Sequence, residues 1–133
     1  MKILIDTHVF LWFYPEPQRI SHKAKLFLED TLKNDIFVSP ITAWEISIKY
    51  GIAKLSIPDV PEVWFPDRVR RAGFLYLPLD LRHMLRVHNL PPHHKDPFDR
   101  LLISQADYEN LPILTEDPRF SFYNVKTLKL NDL

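Results

Sequence analysis

The sequence predicts an α/β protein, a three-layer α/β/α sandwich around a mostly parallel sheet of four to five strands. Three observations lead there. Short apolar runs alternate along the chain with longer segments of helical periodicity. The first run, Lys2-Ile3-Leu4-Ile5-Asp6, is apolar without alternation, as in a parallel strand covered on both faces. The pairs Ser39-Pro40 and Asp96-Pro97 each supply a helix cap followed by proline at the first helical position.

Each element follows from local pattern. After the first strand, Thr7 to Tyr14 is expected to form a short helix, with Val9, Phe10, Trp12 and Phe13 apolar and Pro15 and Pro17 as stops. Ser21 caps a helix to about Lys33, with Ala24, Phe27, Leu28 and Leu32 as its buried stripe. Asn34-Asp35 turns the chain into a second strand, Ile36-Phe37-Val38. The Ser39-Pro40 helix runs to Tyr50 and stops at Gly51, with Ile41, Trp44 and Ile48 as its stripe. Pro61 to Arg71 is expected to be helical, broken or kinked at Pro66. Phe74 to Leu77 is a third strand. Asp80 to His88 is a short helix with Leu81, Leu85 and Met84 turned inward. The Asp96-Pro97 helix reaches about Asn110, Pro112 to Thr115 is a fourth strand, and Val125 to Leu130 a fifth, at the edge. With no repeat, low-complexity segment or linker, residues 1–133 are expected to form a single domain.

Composition narrows the function. The 133 residues carry 17 basic and 17 acidic side chains, so bulk positive charge does not drive binding to nucleic acid. Cysteine is absent, which excludes disulfides and thiolate zinc sites. Only two glycines are present, and no glycine-rich phosphate loop can be written. No apolar run approaches the roughly 20 residues of a membrane span, and Met1 to Asp6 is too short for a signal peptide. A cytoplasmic protein with no membrane association is expected.

Four carboxylates stand out by position. Asp6 and Asp117 each follow a strand, where ligand sites collect in open α/β sheets. Asp99 precedes Leu102, Ile103 and Ala106 by three, four and seven residues, so it lies on the apolar face of its helix. Glu45 falls between Ile41 and Ile48 in the same way. Singly, each has an ordinary reading: a turn residue for Asp6 and Asp117, a boundary residue for Glu45, a helix-dipole partner for Asp99. Two strand-end acids and two helix-face acids in one parallel fold argue against coincidence. Brought together, they would repel unless neutralised, and an all-oxygen set favours Mg2+ or Mn2+. Such a site suits phosphodiester hydrolysis. Asp96 is assigned mainly to capping. Thr7, Ser39 and Thr115 are near enough in sequence to orient ligands or waters.

Histidine is a weaker signal. His83, His88, His93 and His94 give no helical His-x-x-x-His pair, and two lie in a proline loop, so zinc is not expected. His93, His94 and Lys95, with Arg100 beside them, are expected on the rim of the pocket. Arg68, Arg70 and Arg71 read equally as a track for phosphates or a solvated face. Trp12, Trp44 and Trp64 are assigned to core packing before base stacking.

The blocks Ile3-Leu4-Ile5-Asp6-Thr7-His8, Trp44-Glu45-Ile46-Ser47-Ile48-Lys49, Asp96-Pro97-Phe98-Asp99-Arg100-Leu101-Leu102-Ile103 with Gln105-Ala106, and Leu114-Thr115-Glu116-Asp117 resemble the ordered motifs of PIN-domain ribonucleases. The likeness is to VapC-like toxins of toxin–antitoxin pairs and runs from Met1 to about Tyr123. It implies a single PIN-like domain and a Mg2+- or Mn2+-dependent endoribonuclease that hydrolyses RNA. The implied acidic quartet is Asp6, Glu45, Asp99 and Asp117, and the implied partners are a small antitoxin and a second copy of the chain. In that reading Asp6 and Asp99 hold the principal ion, Glu45 positions water or a second ion, and Asp117 completes the set. Thr7, Lys49, Asp96, Arg100 and Thr115 are candidates for support or for the substrate rim. Two rivals stay open. One is a phosphatase with Asp6 as phospho-acceptor, although the second Asp expected two residues on is His8. The other is a catalytically silent PIN-like binding module.

Overall fold

The computed structural model describes residues 1–13 and 17–133. Tyr14 and Pro15, expected at the end of the first helix, lie outside the described residues. Five strands form one sheet in the order β3-β2-β1-β4-β5: β1 (Lys2–Ile5), β2 (Asp35–Val38), β3 (Leu75–Tyr76), β4 (Ile113–Leu114) and β5 (Thr127–Leu128). Every pair is parallel, with Ile3 opposite Ile36, Ile5 opposite Leu114, Val38 opposite Tyr76 and Leu114 opposite Leu128. The first strand of the chain is thus the centre of the sheet, and β5 lies at an edge as expected.

The strand period of two separates the core into halves. Ile3, Ile5, Ile36, Val38 and Leu114 face one layer, with Val9, Phe10, Ala24, Leu28, Trp64, Phe65 and Val69. Leu4 and Ile113 face the other, with Leu102, Ile103, Ala106 and Phe120. Helices α1 (Thr7–Phe13), α2 (His22–Glu29) and α4 (Pro61–Ala72) build the first layer, and α6 (Pro97–Glu109) the second. Helix α3 (Pro40–Gly51) contributes Ile46 to one and Ile41 to the other. Each fully buried Ile, Leu or Val contributes about 1.5–3 kcal/mol of transfer free energy. A short α5 (Leu81–Leu85) continues into a 3₁₀ turn over Arg86–Asn89.

Capping follows the sequence closely. Ser39 Oγ accepts from the Ile41 amide, and Asp96 Oδ1 accepts from the amides of Phe98 and Asp99. Gly73 ends α4 in the left-handed region at φ +74°, where a Cβ would come within 3.0 Å of Thr31 Cγ2.

Four expectations change. Helix α2 stops at Glu29, not near Lys33, because Asn34 Nδ2 donates back to the Phe27 carbonyl and draws the chain into a turn. Leu32 is consequently almost fully exposed. Helix α4 continues through Pro66, which lies on the exposed side with Glu62, where water can reach the carbonyl that lacks its amide. The buried face of α3 is Ile41, Thr42, Glu45 and Ile46, whereas Trp44 and Ile48 are exposed. Leu81, Met84 and Leu85 of α5 also face outward, and His83 is the buried residue. There, the Asp80 amide donates to His83 Nδ1, and His83 Nε2 meets Glu109 Oε1 at 2.8 Å, so polar ties set the roll of this helix.

Candidate active site

The carboxyl ends of the parallel strands and the starts of α1, α3 and α6 share one edge of the sheet, and the four singled-out acids gather there. Asp6 ends β1 and is almost fully buried. Its Oδ1 accepts from the Val9 amide in the first turn of α1 (2.8 Å), and its Oδ2 accepts from Thr115 Oγ1 beyond β4 (2.5 Å). Thr115 Oγ1 in turn accepts from the Asp117 amide. Burial pushes the Asp6 carboxyl up, against the opposing hydrogen bonds from Thr115 and Val9.

Glu45 is buried on α3. Its Oε2 accepts from Lys49 Nζ one turn later, at 2.5 Å. Its Oε1 is buried and has no hydrogen-bond partner. Thr7 and Thr42 join their hydroxyls at 3.1 Å and tie the start of α1 to α3.

Asp99 lies at the start of α6, held there by the Asp96 cap. Burial pushes it up, and the charges of Asp96, Glu45, Asp6 and Asp117 add to the shift, reaching about 8. Asp117 behaves oppositely. Burial pushes it up, but bonds from the Arg119 side chain and amide and from His94 outweigh that and hold it at about 2. Arg119 Nε and Nη2 reach Asp117 Oδ1 and Oδ2 at 3.1 and 2.9 Å.

The acids therefore share one electrostatic pocket with an excess of negative charge. A buried oxygen on Glu45 with no partner among the described residues and a carboxyl on Asp99 raised by burial and by its neighbours are what an all-carboxylate cation site should display. The residues present fit a hard divalent cation, and Asp6, Glu45, Asp99 and Asp117 are the groups able to hold it.

Some rim assignments move. Arg100 does not reach into the pocket. Its Nη1 donates to the carbonyls of Pro91 and His94, and its Nη2 to those of Val87 and Leu90. It anchors the loop before α6. Arg70 and Arg71 both pair with Asp67 on α4, the solvated-face reading. Trp64 is buried and Trp12 packs against the core, but Trp44 is 54% exposed and rests edge-on against Phe98 at 4.9 Å.

His94, expected on the rim, is 2% exposed and inside the acid cluster. Its Nε2 lies 3.1 Å from Asp117 Oδ2 and 3.0 Å from Asp99 Oδ2. Atoms of His94, Asp99 and Asp117 all fall within 4.8 Å of one another. Periodicity carries no signal for a residue in a proline loop. The one available clue was its position two residues before a helix cap.

Known proteins share this fold. The chain superposes on a VapBC2 structure from Rickettsia felis bound to a promoter DNA fragment with TM-score 0.72, 15% identity, and coverage of 97% of this chain and 98% of that one. A DNA-bound VapBC structure from Salmonella typhimurium gives TM-score 0.71, 14% identity and 98% coverage of both chains. These likenesses concern the fold. In sequence, the chain is similar to Ribonuclease VapC16 of Mycobacterium tuberculosis, 40% identical over 62 residues. That match spans 47% of this chain and 43% of the relative's length. The profile of the PIN domain matches residues 3–126, nearly the whole chain and all four acids, and the protein belongs to the PIN domain family.

Proposed function

We propose that this protein is a Mg2+- or Mn2+-dependent endoribonuclease, a single PIN-like domain that serves as the toxin of a toxin–antitoxin pair. The observation that carries the reading is the gathering of Asp6, Glu45, Asp99 and Asp117 at one sheet edge, with Glu45 Oε1 buried and unpartnered and Asp99 raised by its neighbours. These four would hold the ion. When bound, a divalent cation activates water and offsets charge that builds on a phosphoryl oxygen.

The chain's own residues do the rest. Thr115 and the Val9 amide fix both oxygens of Asp6. The Asp96 cap fixes where α6 starts and so where Asp99 stands. Lys49 Nζ donates to one oxygen of Glu45, Oε2, and leaves Oε1 for another partner. The resemblance to VapC16 supports RNA as substrate, and the VapBC assemblies of similar fold support a small antitoxin as partner. No described helix is long and apolar enough to cross a membrane, in keeping with action in the cytoplasm. A homodimer is part of the same proposal.

The test is incubation of the purified protein with total RNA and Mg2+, with cut ends mapped. Cleavage is expected to stop with a chelator and in Asp6→Asn. That variant keeps an acceptor for the Val9 amide and so should fold. Full cleavage by Asp6→Asn would refute the assignment.

A further inference from the structure

We infer that His94 is a positioning residue of the acid cluster: an Nε2–H donor, not a ligand, that fixes the Asp117 carboxylate beside Asp99. This inference rests on the metal site of the proposed function and deepens it.

Three observations define the proton. His94 Nδ1 accepts a hydrogen bond from the Asp96 amide at 3.1 Å. An Nδ1 that accepts carries no hydrogen, so the ring N–H is on Nε2. Nε2 donates to Asp117 Oδ2 (3.1 Å) and also lies 3.0 Å from Asp99 Oδ2, a close contact outside that hydrogen bond. Reversing the tautomer would set two N–H groups against each other at Nδ1. The Asp96 amide cannot easily turn away, because the Asp96 side chain is at the same time the cap of α6.

The ring itself is fixed on all sides. The His94 amide donates to Tyr123 Oη at 2.7 Å, and its carbonyl accepts from Arg100 Nη1 at 3.2 Å. Its ring stands edge-on to Phe120, with centroids 5.7 Å apart. Arg100 and Tyr123 thus bind the loop so that the imidazole is delivered to Asp117 beside Asp99.

The trio His94, Asp99 and Asp117 has the spacing of a ligand set, but a protonated Nε2 has no lone pair for an ion. A carboxylate oxygen has a second lone pair and the group a second oxygen, so Asp117 can accept from His94 and still face an ion. Hydrogen bonds of this outer kind orient ligands, and their loss typically weakens metal binding about 10–100-fold.

The test uses the full-length protein and two readouts independent of RNA. Long-range 1H–15N spectra should give a bare Nδ1 and a protonated Nε2 for His94, both without ion and with Mg2+. Calorimetric Mg2+ titration should give His94→Gln, whose amide N–H sits near the position of Nε2, close to wild-type affinity. His94→Asn and His94→Ala should weaken Mg2+ by about 10–100-fold. Comparable melting of the Gln and Asn variants would separate this effect from misfolding. Loss of the Nε2 proton on adding Mg2+ would make His94 a ligand and overturn the inference. So would wild-type affinity in His94→Asn and His94→Ala, or a Gln variant as weak as Ala. A wild-type protein that takes up no Mg2+ overturns it together with the metal half of the proposed function. Mg2+ uptake with this variant pattern but no RNA cleavage would sink the ribonuclease reading alone.

Discussion

Thr115 Oγ1 donates to Asp6 Oδ2 at 2.5 Å, joining residues 109 apart in sequence. The bond links the carboxyl ends of the neighbouring strands β1 and β4 and holds an acid that burial alone would leave uncompensated. The same hydroxyl accepts from the Asp117 amide, so one threonine organises two of the four acids.

Thr115→Val removes both roles at nearly constant volume. The expected cost is about 1–3 kcal/mol of unfolding free energy, the penalty for a buried charged acceptor left without its donor. Urea denaturation in ion-free buffer measures it, and Thr115→Ser should restore most of the loss. Wild-type stability in the Val variant would show that Asp6 does not depend on this donor.

Asp99 gives a pH signature. It is raised from 3.8 to about 8 in the folded chain by burial and the surrounding carboxylates. Between those values the folded chain holds a proton that the unfolded chain has released, so its contribution to stability is complete below about pH 4 and is lost as pH rises through about 8. Asp99→Asn, which cannot ionise, should therefore gain on the wild type as pH climbs from 4 to 8 in ion-free buffer. Added Mg2+ should shrink the gap by favouring the ionised wild type. A stability difference that does not change with pH would contradict the raised carboxyl.

Lys49 Nζ donates to Glu45 Oε2. Lys49→Met keeps the stem and removes the charge. A loss of about 1 kcal/mol is expected without ion, modest because the lysine is partly exposed. The loss should fall when Mg2+ is present. Melting temperatures with and without Mg2+ check this, and a loss that Mg2+ leaves unchanged counts against an ion beside Glu45.

Arg100→Lys should be a severe change for a conservative substitution. One ammonium cannot reach the four carbonyls that the guanidinium bridges. A cost of about 2 kcal/mol is expected, from lost charge-assisted hydrogen bonds. Amide hydrogen exchange should quicken in residues 87–94 before anywhere else; uniform exchange across the chain would argue against a local anchor.

The centre of the sheet was legible because β1 and β4 are covered on both faces and so are written as apolar runs, such as Ile3-Leu4-Ile5. The helix starts were legible because Ser39-Pro40 and Asp96-Pro97 act within three residues of themselves. Periodicity erred where polar side chains are buried. Thr42 is fully buried against Thr7, which rotates the inner face of α3 away from Trp44 and Ile48 while keeping Glu45 inside. His83 is fully buried through bonds to Asp80 and Glu109, which turns Leu81 and Leu85 to water. His94 was misplaced for a related reason: its partners Asp117 and Tyr123 lie more than 20 residues away, and no local pattern announces them.

The position of β1 at the centre of the sheet bears on how the protein is made. Its neighbours β2 (Asp35–Val38) and β4 (Ile113–Leu114) are far apart in sequence, and β4 emerges from synthesis long after β2. Asp6 and Glu45 are among the early residues, but Thr115 and Asp117 come after β4. A ribosome-bound chain therefore carries Asp6 and Glu45 well before Asp99, and Asp99 before Asp117. Until Ile113 to Asp117 have emerged, β1 lacks its β4 neighbour and Asp6 lacks the Thr115 hydroxyl, so this fold delays assembly of its own pocket.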